Sequence, residues 1–119
     1  MSDGSAVYPV VMSDEDAYAA YTRGHDLLRM REYHQAAVAF EAAKRLEPRK
    51  ASIREGLGRA YLACRAYARA REEFQVAVDL HPTDGYAHFG LGRSCDRMGD
   101  RMMARRHYRL ARLFGGPSD

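Results

Sequence analysis

Of the 119 residues only two are cysteine, and none is tryptophan. Cys64 and Cys95 cannot staple a small secreted scaffold, and they do not form a C-x-x-C pair. No stretch approaches the ~20 apolar residues of a membrane span. The opening MSDGSAVYPVVM carries no lysine or arginine ahead of its short apolar run, so it does not read as a secretory signal. The five histidines form neither H-E-x-x-H nor H-x-x-E-H, and neither cysteine completes a zinc set. Gly-Leu-Gly at 56–58 and 90–92 is a fragment of G-x-G with no strand before it and no third glycine, so it reads as helix packing. No serine lies beside a His–Asp motif. These absences predict a small cytoplasmic domain with reduced thiols, no cofactor, no metal and no enzymatic activity.

At 46% hydrophobic and 29% charged, the chain has the composition of one folded domain. Its formal charge of +3 is unevenly spread. The first sixteen residues hold Asp3, Asp14, Glu15 and Asp16 and no base. From residue 85 onward seven arginines (Arg93, Arg97, Arg101, Arg105, Arg106, Arg109 and Arg112) face only Asp96, Asp100 and Asp119. A solvated helix face explains that run more simply than a nucleic-acid partner, which is disfavoured.

A repeat runs through nearly everything else. Shifted by 34 residues, the sequence meets itself: Gly24, Gly58 and Gly92; Ala36, Ala70 and Ala104; Phe40, Phe74 and Tyr108; Ala43, Ala77 and Ala111. Pro48 and Pro82 close the first two copies. Within each copy apolar and small residues recur at helical spacing in two runs, broken at Arg31-Glu32, Arg65-Ala66 and Gly99-Asp100. Three units result, over 17–50, 51–84 and 85–118, each a pair of helices. Small residues let the paired backbones approach, and the aromatic column fills the space between neighbouring pairs. One pair cannot cover its own apolar face, so stability must come from stacking. Ser13, with Asp16 three residues on, reads as a capping box for the first helix. Cys95 shares a column with Leu27 and Tyr61 and is expected to be buried, whereas Cys64 ends a first helix and is expected nearer the surface.

The G…A…F…A…P spacing resembles the tetratricopeptide repeat, most closely in GLGRAYLACRAYARAREEFQVAVDLHP. The resemblance covers about 17–116 and implies an all-α fold. This is a right-handed solenoid of three helix-turn-helix units, six helices in all, behind an extended N-terminal arm (1–16). It also implies that the first helices line a concave groove that binds an extended segment of another protein. On that reading the groove residues are Tyr18, Tyr21, His25 and Arg29; then Ser52, Glu55, Arg59 and Leu62; then Tyr86, Phe89, Arg93 and Arg97. Arginine forks and tyrosine rings favour acidic and apolar ligand side chains, or a free C-terminal carboxylate. A subclass of the family grips the C-terminal carboxylate of heat-shock chaperones with Lys, Asn and Arg. The corresponding residues here are Tyr21, His25, Gly56, Tyr86 and Gly90, so that assignment is rejected.

Two readings concern the ends. Leu110, Leu113 and Phe114, at the end of the last repeat's second helix, have no covering helix, an assembly surface that would allow a homo-oligomer. Ala6–Met12, interrupted by Pro9, reads as an extended arm that docks on a repeat surface. The leading function is thus a protein-interaction module. Self-assembly, a secretion-type chaperone and RNA binding are the alternatives, and no membrane partner is expected.

Overall fold

The computed structural model describes residues 16–117. Six helices follow one another: α1 Ala17–Arg29, α2 Tyr33–Leu46, α3 Ala51–Ala63, α4 Tyr67–Leu80, α5 Gly85–Arg97 and α6 Arg101–Leu113. No strand occurs among the described residues. First helices begin at 17, 51 and 85 and second helices at 33, 67 and 101, so the sequence register is also the structural one.

The turn inside each pair is the same device three times. Arg31 and Arg65 (both φ 63°) and Gly99 (φ 84°) take the left-handed conformation just past the first helix. The amides of Glu32, Ala66 and Asp100 then reach back 2.9 Å to the carbonyls of Leu27, Tyr61 and Cys95. This double closure satisfies carbonyls that the helix end leaves open. Asp16, Asp84 and Asp100 cap the helices they precede with side-chain oxygens. Asp16 itself is the first cap, accepting from the Ala19 amide at 2.8 Å. The expected Ser13 box is thereby corrected: Asp16 stands at the capping position, while Ser13 lies outside the described residues.

Packing is organised around the aromatic column. Phe40 lies so close to Gly24 of its own pair and Gly56 of the next that a Cβ on either would come within 2.8 and 2.5 Å of the ring. Phe74 repeats this between Gly58 and Gly90, where the distances would be 2.6 and 2.2 Å. Each ring is thus held between two glycines, one per repeat, and both are buried. Glu73, also buried, ties three helices: Lys44 of α2 and Arg54 of α3 each reach its carboxylate at 3.0 Å. Pairing both oxygens with cations is what makes burial of that charge tolerable.

Adjacent helices pack in sequence order. In addition α1 packs on α3 and α3 on α5, whereas the backbones of α2, α4 and α6 stay apart, α2 and α4 meeting through the Lys44–Glu73 ion pair. The first helices therefore sit on the inside of the stack.

Candidate functional site

On that inner side lies a hollow of about 440 Å³. Tyr21 and His25 of α1, Ser52, Glu55, Gly56, Arg59 and Leu62 of α3, and Tyr86, Phe89, Gly90 and Arg93 of α5 line it, with Phe74 and Pro117. Residues three or four apart on a helix share a face, and three such faces meet here. Of the groove residues expected from the sequence, Arg29, Arg97 and Tyr18 are not among its walls. Arg29 is instead exposed and ion-paired with Asp26 one turn back on α1. Tyr18 is 75% exposed. Arg97 lines an adjoining hollow that shares Arg59, Leu62 and Arg93 with the first.

Four wall residues were not foreseen. Gly56 and Gly90 are the glycines against Phe40 and Phe74, and their 34-residue separation was a signal present in the sequence. They explain in steric terms why no chaperone-type clamp stands here, since a side chain at either position would collide with a ring. Phe74 supplies part of the floor. Pro117 arrives because the chain reverses after α6: the Gly116 amide bonds the Ala111 carbonyl at 2.7 Å, and Gly116 crosses Gly85 at backbone contact. A Cβ on Gly85 would come 2.4 Å from the Gly116 nitrogen, so the close approach requires a glycine there.

The electrostatics favour a cationic hollow. Burial first, then a hydrogen bond to Asp84 and that residue's charge, push the Glu55 carboxyl up to about 8. Asp84 resists the upward push of burial: the Glu55 hydrogen bond and the amides of Ala87 and Tyr86 hold it below the usual carboxylate range. Glu55 therefore keeps its proton at neutral pH and shares it with the N-cap of α5. Burial, reinforced by the charges of Arg59 and Arg29, lowers the His25 imidazole. Its Nε2 is buried without a hydrogen-bond partner. With Glu55 protonated and His25 uncharged, Arg59 and Arg93 set the sign of the hollow. Arg93 lies over the Phe89 ring at 5.8 Å, and Tyr21 meets His25 edge-on at 4.5 Å.

The expected C-terminal surface is only partly open. Leu113 is 72% exposed and Leu110 half-buried, and both line a shallow hollow with Arg106, Arg109 and Arg112. Phe114 is turned inward, its ring 5.6 Å from that of His88. Cys95 is buried, as expected from its column, and Cys64 is half-buried with its sulfur 3.5 Å from His34 Nδ1. No helix among the described residues is long and apolar enough to cross a membrane. The N-terminal arm lies outside them, apart from its last residue, Asp16.

A sequence profile of the tetratricopeptide repeat matches residues 21–85. The chain belongs to the tetratricopeptide repeat family. Solved structures of the family share its fold. The Sgt2 TPR domain from Aspergillus fumigatus is 22% identical with a TM-score of 0.82, over 87% of this chain and 70% of that one. The second TPR of Spaghetti (RPAP3), bound to the HSP90 peptide SRMEEVD, is 17% identical with a TM-score of 0.81, over 87% of this chain and 95% of that one. A fragment of MamA from Desulfovibrio magneticus RS-1 is 30% identical with a TM-score of 0.77, over 82% of this chain. This chain spans only 55% of that MamA chain and 59% of its match in the CopN–Scc3 complex. No curated protein matches the sequence.

Proposed function

We propose that this tetratricopeptide repeat chain is an interaction module that holds an extended segment of another protein in the groove formed by α1, α3 and α5. The observation that carries this reading is the hollow itself. Three first helices contribute to it, and its lining is mostly apolar. An apolar side chain fits between Tyr21, Phe74 and Phe89, with acidic neighbours beside Arg59 and Arg93. The peptide-bound RPAP3 relative supports the same use of the fold.

Affinity capture with wild type beside the Arg59→Glu/Arg93→Glu variant tests it. The partner should be lost from the variant while its melting temperature stays within a few degrees. Equal capture by both would remove the groove as the site. Self-assembly through α6 is favoured by exposed Met102 and Leu113 and opposed by Arg105, Arg109 and Arg112, which share that helix's exposed surface. Light scattering decides it: a concentration-independent monomer excludes stacking.

A further inference from the structure

Next to the first hollow, at the C-terminal ends of α3 and α5, lies a second one of about 440 Å³. Its walls include Arg59, Arg65, Arg93 and Arg97, together with Tyr67 and Leu62. No Asp or Glu lines it, and among the described residues none of the four arginines is ion-paired. Two of them rest on aromatic rings, Arg93 over Phe89 at 5.8 Å and Arg97 over Tyr67 at 6.0 Å. Stacking holds a guanidinium by its face and leaves its N–H edge available. The last of the four, Arg65, occupies the left-handed turn position that closes α3. A chain that could place glycine there, as it does at Gly99, instead carries a cation beside the hollow.

Four uncompensated cations around one small volume exceed what a single carboxylate neutralises. A phosphoryl group brings −1.5 to −2 charges and three strong acceptor oxygens, enough to engage two or three guanidinium forks together. We infer that this cluster is a subsite for a phosphorylated serine or threonine on the bound segment. The inference rests on the groove reading above, because the two hollows share Arg59, Leu62 and Arg93 and one extended segment would cross both.

The probe is N-acetyl-phosphoserine amide, titrated into the full chain while the arginine Nε–H signals are followed by NMR. N-acetyl-Glu-Glu amide and inorganic phosphate serve as parallel titrants. The phosphoserine probe should move Arg59, Arg65, Arg93 and Arg97 saturably, about tenfold more tightly than the diglutamate. Arg105, Arg109 and Arg112 of α6 should stay still, and the Arg93→Gln/Arg97→Gln variant, checked for an unchanged melting curve, should lose the response. Equal binding of the diglutamate would assign the cluster to an acidic stretch and overturn the inference. So would shifts on the α6 arginines of the same size, or no saturation. Inorganic phosphate binding as tightly as the phosphoserine probe would make it a free-anion site and also overturn it. Capture of a partner through Arg59 and Arg93 that survives phosphatase treatment would leave the groove standing and remove the phosphate subsite alone. Capture abolished by that treatment is the expected result.

Discussion

At the scale of single residues, the two left-handed arginines and the protonated glutamate are where sequence and backbone disagree most. Arg31 holds φ 63° at a position where the third repeat uses Gly99. A side chain there costs about 1–2 kcal/mol, partly offset because glycine is freer in the unfolded chain. Arg31→Gly should therefore stabilise the protein by about 0.5–1 kcal/mol, and Gly99→Arg should destabilise it by a similar amount, both read from denaturant midpoints. Glu55 gives a pH dependence of definite sign. The unfolded chain releases this proton near the ordinary value of 4.5, the folded chain only at about 8. Between those values the folded state binds more protons, so this group lowers stability as pH rises and its effect levels off above pH 8. The melting temperature of wild type should fall from pH 5 to pH 8 relative to Glu55→Gln, with the two curves running parallel beyond. Parallel curves across the whole range would show that Glu55 is ionised throughout.

Between elements, the decisive contact is an aromatic ring held by two glycines on neighbouring repeats. Gly90→Ala would bring a methyl group 2.2 Å from the Phe74 ring, and α5 or the ring must move. Such overpacking costs about 1–3 kcal/mol. Combining it with Phe74→Leu should cost less than the sum of the two single changes, because the smaller side chain vacates the contested space. Strict additivity in that double-mutant cycle would contradict the packing described. Much of this was legible in sequence. The 34-residue register gave the three helix pairs, and spacing by three and four placed Tyr21, His25, Glu55, Arg59, Tyr86, Phe89 and Arg93 on one side. What depends on approach between separate elements was not legible. Glu55 of α3 and Asp84, the N-cap of α5, are 29 positions apart, and nothing in either neighbourhood signals a shared proton. Phe114 looked uncovered because its helix is last, yet the chain reversal at Gly115 (φ 76°) and Gly116 packs it on His88. Arg29 keeps the groove periodicity but lies on the same exposed surface as Asp26, which takes its charge.

For the whole molecule, curvature follows from which helices touch. With α3 packed on both α1 and α5, and the backbones of α2, α4 and α6 apart, the first helices face inward. Gly56 and Gly90 on the inner wall let the Phe40 and Phe74 rings pack behind it, and the hollow lies in front. That hollow, bordered by Arg59 and Arg93, is the basis for a partner lying across all three repeats. The most direct test places a photo-crosslinking benzoylphenylalanine at Tyr86, exposed on the groove wall, and in a second variant at Met102, exposed on α6. Mass spectrometry of the crosslinked partner should return one continuous segment from position 86 and none of it from position 102. The same segment recovered from 102, with nothing at 86, would contradict a binding groove on the inner face.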